Sequence, residues 1–345
     1  MKLKTNMVTQ NELKAFYETD LKPKLLFFEE QRQLLVSKRR TLWNLFWILV
    51  IFAILTIIIL STLEARDIRI AISFWTLHDI GGTRVIFGLA TIIYLIVIAI
   101  VIGSFYHKMK SSYQAHFKTA VVGSLVTFID ENLSYAPEKN IKVEAFHTSQ
   151  LFKQEYGDKV DRFSSEDYVG GILDGTNVKF SEVHAQEVES NSDGTYTVTI
   201  FKGLFFTFNV NWDFEGITVI LPNDAKQGFK KYLQLVKLAK PALEREFVVY
   251  SDNPIIAKYV FSTAFMDRLL ALRRRLKTPI HLSFVNGKLY MAIHFTEDLF
   301  EPPVLSDTVL NFQLIQTTFE YMQLGKVIVE ELITLMKQPN SMNLE

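Results

Sequence analysis

Two apolar runs dominate the pattern of hydrophobic and polar positions along this chain. Residues 42–60 carry Asn44 as their one strongly polar member, and residues 85–105 carry no charge at all. At about 1.5 Å of rise per residue, each run is long enough to cross about 30 Å of hydrocarbon as a helix. Two uncharged, closely spaced runs of this length rarely occur in a soluble core, so a transmembrane hairpin is expected rather than buried soluble helices. The first run begins too far along the chain for a signal peptide, and no small-residue cleavage signature follows it.

Ahead of the spans, residues 9–38 favour helix. Thr9 and Glu12 have the spacing of a capping box, and Pro23 is expected to divide the arm, leaving an amphipathic run at 25–36 before Lys38-Arg39-Arg40. This arm reads as a cytosolic helix that extends the first span and packs on the main domain, in preference to a partner-binding or membrane-surface helix.

Beyond the spans the period changes several times. Residues 111–132 predict a helix with Phe117, Val121, Leu125 and Phe128 as its buried stripe, ended by Tyr135-Ala136-Pro137. Within 141–156, a short extended piece leads to a helical turn begun at Ser149, with Phe152 and Tyr156 at i,i+4 spacing. From 168 to 221 the pattern is extended. Strands at 178–188 and 195–201 flank Asn191-Ser192-Asp193-Gly194, a turn whose Asp-Gly pair tolerates positive φ. Lys202-Gly203 is expected to separate a further strand at 204–210, and Glu215-Gly216 precedes one at 217–221, giving an antiparallel meander.

A helix is expected at 229–240, with Pro241 stopping it, then a strand at 247–250. Asn253-Pro254 supplies a cap and a first-turn proline for a helix to 259 or 261, and Ser262 or Thr263 restarts one to Lys277. Strands 280–285 and 288–295 are joined by Asn286-Gly287, the clearest two-residue hairpin in the chain. After Pro302-Pro303, Asp307 or Asn311 opens a long last helix with Phe312, Ile315, Phe319, Met322 and Val329 on one face. The fold class is therefore α+β: a two-helix transmembrane hairpin followed by a cytosolic domain of antiparallel sheet covered by helices. The expected divisions are an N-terminal arm at 1–41, the hairpin at 42–105 and the cytosolic α+β domain at 106–345.

Charge orients the hairpin. Lys24, Arg32, Lys38, Arg39 and Arg40 precede the first span, and Lys108, Lys110 and Lys118 follow the second. The link holds Arg66, Arg69 and Arg84 beside Glu64, Asp67 and Asp79. The positive-inside rule places both termini in the cytoplasm. With 37 basic and 37 acidic residues the net charge is zero, so no global field argues for nucleic acid. Phe201, Phe205, Phe206, Phe208 and Trp212 invite a base-stacking reading, but no dense basic pattern interleaves them, and a sheet core is the expectation. No cysteine is present, which removes disulfides, thiol nucleophiles and thiolate metal sites. Neither span holds an acidic residue or a histidine, which argues against an intramembrane proton relay.

The chain contains no phosphate-binding glycine loop, zinc-protease motif, EF-hand or nucleophile elbow, so no cofactor and no metal is expected. Gly170-Gly171 and Gly175 lack a nucleotide loop's lysine and read as turn formers. Three residues stand as catalytic candidates. Glu166 and Asp167 are adjacent carboxylates, for which helix capping or solvent exposure is the blander account. His184 shares a strand face with Glu182, while His281 and His294 lie in other strands with no assignable partner. Two basic clusters form a separate set of candidates, for anionic lipid headgroups: Lys226, Lys230, Lys231, Lys237 and Lys240, then Arg268, Arg273, Arg274, Arg275 and Lys277.

Phe163-Ser164-Ser165-Glu166-Asp167-Tyr168-Val169-Gly170-Gly171, Phe180-Ser181-Glu182-Val183-His184-Ala185 and Phe201-Lys202-Gly203-Leu204-Phe205-Phe206 resemble a bacterial membrane-protein family known as domain of unknown function 3137. Phe265-Met266-Asp267-Arg268-Leu269-Leu270 and Leu289-Tyr290-Met291-Ala292-Ile293, running on to Leu299-Phe300-Glu301, fit it too. The resemblance implies a bacterial cytoplasmic membrane protein of two spans plus a domain, and it brings no catalytic residues. The expected function is a membrane-tethered scaffold or interaction module. A membrane-associated enzyme or an anionic-lipid sensor is the alternative. The expected partners are the bilayer, a protein partner or a second copy, and anionic headgroups.

Overall fold

The computed structural model describes residues 8–65, 80–152, 159–173, 175–192, 194–209, 215–223, 233–238, 240–260, 263–296 and 298–337. The apolar link at 68–77, Tyr156, Trp212, Lys226, Lys230 and Lys231 lie outside these residues, as do the side chains of Arg268 and Arg275. The chain forms two compact units. One comprises Met1–Lys22, Lys118–Glu301 and Asn311–Glu345, and the other Pro23–Phe117 and Pro302–Leu310.

The second unit is built on two long helices, α2 (Lys22–Ala65) and α3 (Ile80–Phe117). Their apolar windows have mean hydropathies of 1.4 and 2.5, and none of either window is buried within the protein. Trp47, Phe52, Ile93 and Ile100 stand exposed along them. Side chains this apolar, facing outward all round, require a non-aqueous surrounding, and the protein is membrane-associated. Near the polar end of the same unit, Phe28 of α2 meets Phe117 edge-on at 5.4 Å between ring centroids. There the Glu29 carboxylate accepts from Thr308 Oγ1 at 3.1 Å and from the Val309 N–H at 3.2 Å, while Arg32 Nη1 donates to the Leu305 carbonyl at 2.7 Å.

In the first unit, α1 (Gln10–Phe16) begins with the Thr9–Glu12 capping box, formed in both directions. Pro23 does not divide the arm as expected. A π-helical turn at Tyr17–Leu21 precedes it, with the Lys22 N–H donating to the Tyr17 carbonyl, and the wider i→i+5 ring accommodates a residue that cannot donate. The face of this arm is buried by Leu13 and Tyr17, with Phe16 stacked on Phe128 at 3.9 Å. A second π-turn, Lys118–Val122, leads into α4 (Gly123–Ile129). That helix stops at Asp130, short of the expected end, because Leu133–Tyr135 forms β1.

The helix α5 (Val143–Thr148) ends at Ser149 instead of starting there, since the Ser149 N–H closes onto Ala145. Next come β2 (Arg162–Leu173), β3 (Thr176–Asn191), β4 (Gly194–Asn209), β5 (Ile217–Pro222) and β6 (Gln234–Val236). Then follow α6 (Pro241–Glu244), β7 (Phe247–Ser251), α7 (Pro254–Val260), α8 (Thr263–Leu276), β8 (Ile280–Val285), β9 (Lys288–His294) and α9 (Phe312–Lys337). The described part of the expected helix at 229–240 is thus strand β6, held by pairing with β7.

The sheet has nine strands in the order β1-β2-β3-β4-β9-β8-β5-β7-β6, antiparallel throughout. The expected meander therefore breaks after β4, where the β8–β9 hairpin inserts. Lys202-Gly203 does not end a strand either. β4 runs through it, and Gly203 sits at φ +149 where a Cβ would lie 2.1 Å from the Ile293 carbonyl oxygen. Gly170 and Gly171 lie within β2, not in a turn, and a Cβ on Gly171 would lie 2.0 Å from the Asn132 carbonyl oxygen. The β8–β9 turn is as expected, with Asn286 and Gly287 at φ 46 and 75.

Phenylalanines fill both faces of the sheet. Phe201 and Phe205 pack with Phe146 and Phe152 on one face, and Phe206 meets Phe180 on the other at 4.9 Å. All six are buried, so these rings are core and not a stacking platform.

Candidate functional site

Alternation along β3 places Phe180, Glu182 and His184 on one face, opposite Phe206, Leu204 and Lys202 of β4. Phe180 is absorbed into the core, while Glu182 and His184 line a cavity of about 220 Å³ with Ser164, Glu166, Lys202 and Asp298. Phe295, Asp298 and Leu299, from the segment after β9, complete the lining. Lys202 Nζ holds this segment by donating to the Thr296 carbonyl at 3.0 Å and pairing with Asp298 Oδ1 at 2.9 Å.

A bulge in β2 shapes the other wall. The register with β3 shifts between Glu166 and Val169, and Asp167 takes φ +58, a left-handed conformation that aspartate tolerates better than most residues. The bulge leaves Glu166 exposed and turns Asp167 inward. Asp167 there accepts from Lys118 Nζ at 2.8 Å and from the Tyr135 hydroxyl at 2.5 Å. Lys118 also pairs with Glu301 and stands 3.8 Å from Glu166. Neither carboxylate caps a helix, so the blander account holds only for the exposure of Glu166. Burial, then the Asp167 carboxylate, push the Tyr135 hydroxyl well above its ordinary range, so it stays a donor.

The ligating oxygens of Glu166, Asp167 and Glu301 lie within 4.8 Å of one another, a carboxylate set of the kind that holds a divalent cation. The Lys118 ammonium stands among the three and offsets part of their charge. A metal ion would have to displace a buried lysine.

Glu182 is the most perturbed acid of the cavity. Burial, then the nearby Asp167 charge, push its carboxyl up to about 8, against the one hydrogen bond from the Leu299 N–H at 2.6 Å that favours its ionised form. His184 moves the other way. Burial, then the Lys202 ammonium, lower its pKa, and its Nε2 stands 3.3 Å from Thr199 Oγ1. At neutral pH the two neighbours are therefore a protonated acid and a neutral imidazole.

The structure brings His184 and Glu166 to one cavity and sets Asp167 directly behind it. Sequence reasoning noted Glu182 only as a strand neighbour of His184, and missed Lys118, Lys202 and Asp298 as site residues. A signal for Lys118 was present, since it is the one lysine inside the apolar stripe between Phe117 and Val121. His281 and His294, without assignable partners in the sequence, lie 5.1 Å apart on the opposite face beside Phe152. Burial pushes His281 down to about 3, the state of a core histidine.

Among the described residues, the basic candidates do not join this cavity. Arg273 lies 3.7 Å from Glu246, Lys240 is paired with Asp267 at 2.6 Å, and Arg274 is exposed.

No curated protein matches this chain. Among solved structures, the crystal structure of the mycobacterial trehalose monomycolate transport factor A is similar at 10% identity and a TM-score of 0.34, over 60% of this chain and 95% of that one. At that score the likeness says nothing of this chain's activity. The segments 163–171 and 180–185 fall outside the family match, and those at 201–206, 265–270 and 289–301 fall inside it. Residues 199–333, from within β4 through most of α9, match the family described as Protein of unknown function (DUF3137).

Proposed function

We propose that the chain is a membrane-tethered interaction module whose domain receives a small polar group of its partner in the Glu182–His184 cavity. One observation carries this reading: side chains from β2, β3, β4 and the segment after β9 converge on one cavity. Its volume of about 220 Å³ suits a side chain or a small ligand better than an acyl chain. A photo-crosslinking residue in place of Ser164, at the cavity wall, tests it in cells. A discrete adduct lost in the double variant Glu182→Gln, His184→Ala, and not formed from position 288, supports the reading. Identical adducts from both positions, unaffected by the double variant, overturn it.

A membrane-associated enzyme is the second reading. It is favoured by the opposite protonation states of Glu182 and His184, the arrangement by which one site supplies both an acid and a base. Turnover of a short acyl ester by the intact protein, falling about 100-fold or more in Glu182→Gln and His184→Ala, would establish it. The remaining parts of the proposal are the bacterial cytoplasmic membrane as location, both termini on the cytoplasmic side, and contact of Lys230, Lys231 and Arg273–Arg275 with anionic headgroups.

A further inference from the structure

The hairpin of β3 and β4 outruns the rest of the sheet. Pairing with β2 ends at Gln186 and pairing with β9 begins only at Gly203, so residues 187–190 and 195–199 stand as a two-stranded arm. Two strands alone are marginal in water. The two edges of the arm differ. Asp161 lies along the β3 edge, its N–H donating to the Gln186 carbonyl at 3.0 Å and its carboxylate accepting from the Val188 N–H at 2.7 Å. Glu187 and Glu189 add charge to that edge, the usual guard against a further strand. The β4 edge has no such guard. From Gly194 to Phe201 it carries no charged residue and no proline. Among the described residues no strand pairs with its outer side there.

The phase of the backbone follows from Val188, which stands opposite Thr197 and points its N–H outward to Asp161. Directly opposed residues of an antiparallel ladder bond toward each other or point away together, so the Thr197 N–H and C=O face outward from β4. The same alternation turns out those of Thr195 and Thr199.

We propose that this edge pairs with the same edge of a second copy of the chain, antiparallel about a twofold axis at Thr197. The side chains are self-complementary in that register. Thr195 meets Thr199 of the second copy, Thr197 meets its own counterpart, and Tyr196 meets Val198 at the closer, non-hydrogen-bonded positions. Threonine pairs and aromatic–β-branched pairs are favourable cross-strand neighbours. The Tyr196 ring is 46% exposed, and its hydroxyl donates to Glu189, which holds it on the arm. Pairing through the β3 edges in the matching register would instead set Glu187 against Glu189, a repulsive arrangement. Each copy uses its one open edge, so the pairing closes as a dimer and does not grow into a fibre. So short a contact falls below the roughly 1,200 Å² of a stable interface, and the dimer depends on both copies sharing a membrane, which raises their effective concentration.

Cysteine pairing in membranes tests both the partner and the register, since the chain supplies no other thiol. Two differently tagged full chains, one Tyr196→Cys and the other Val198→Cys, are expressed together and their membranes oxidised. The mixed pair should crosslink about 10-fold more than either variant with itself, because only these two positions face each other. Adding Thr197→Lys to both chains sets two ammonium groups opposite each other at an exposed position and should lower the crosslinked fraction about 10-fold. Ser190→Lys, on the guarded edge, should leave it unchanged. Equal crosslinking from all three combinations, or none from any, overturns the dimer. So does an adduct to a different protein in place of the second copy, or a crosslink that Thr197→Lys leaves untouched. The Glu182–His184 cavity takes no part in this pairing, so either proposal can fail alone.

Discussion

Lys118 and Asp167, 49 positions apart in the chain, meet at 2.8 Å in a buried ion pair that joins a helical turn to a strand bulge. The bulge supplies the carboxylate and the turn supplies the cation, so each irregularity accounts for the other. Such a pair contributes little net stability compared with an apolar substitute, but removing one partner strands the other's charge.

Lys118→Met should therefore lower stability by about 3–5 kcal/mol, because Asp167 and Glu301 are left uncompensated. Adding Asp167→Asn should recover part of that loss. Thermal unfolding of the two variants in nanodiscs checks the order, and equal melting temperatures for both would contradict it.

Glu182 makes stability depend on pH in a definite direction. Its carboxyl is raised from an ordinary 4.5 to about 8 in the folded protein. The contribution is fully present below pH 4.5 and is lost as pH rises through about 8, because the native state keeps a proton that the unfolded chain releases. Melting temperature should fall across this window in the wild type. In Glu182→Gln the fall should be shallower, and parallel curves for the two proteins would refute the assignment.

Gly203→Ala tests the seam between β4 and β9. The new methyl would lie 2.1 Å from the Ile293 carbonyl oxygen, at a φ of +149 that side chains avoid. The expected outcome is loss of the folded domain, seen as rapid proteolysis within 199–333. A protease-resistant variant would show that the two strands can separate at that point.

The absence of cysteine makes topology directly readable. Ser73→Cys, in the link, should react with an impermeant maleimide added to intact cells, and Ser341→Cys should react only after lysis. Reversed labelling would invert the proposed orientation.

Contact with anionic lipid predicts slower acetylation of Lys230 and Lys231 in nanodiscs containing phosphatidylglycerol than in phosphatidylcholine alone. The difference should shrink at high salt, since headgroup attraction falls off within a Debye length. Equal rates in the two lipids would exclude these lysines from the membrane surface.

Local chemistry was legible in the sequence. The Thr9–Glu12 box, the Asn253-Pro254 start and the Asn286-Gly287 turn are each decided by backbone preferences within four residues, and each stands in the structure. Strand order was not legible, because nothing near β4 announces that β9, about 80 positions downstream, pairs with it. For the same reason Glu182 looked ordinary. Its carboxyl is perturbed by burial, by Asp167 across a bulge and by the Leu299 N–H 117 positions away. The helix expected at 229–240 had a helical period, but β6 gains pairing partners on β7 that a local pattern cannot reveal.

The π-turns at Tyr17–Leu21 and Lys118–Val122 have a consequence for anyone splicing this chain. Each is one surplus residue in an otherwise regular helix, and a residue is worth about 100° of rotation. Leu13 on one side of the first turn and Leu25 and Phe28 on the other are buried, as are Phe117 and Leu125 on either side of the second. A chimera joined inside a π-turn can absorb a one-residue mismatch by relaxing to a plain α-helix. The same mismatch placed elsewhere would turn the rest of the helix to the wrong side.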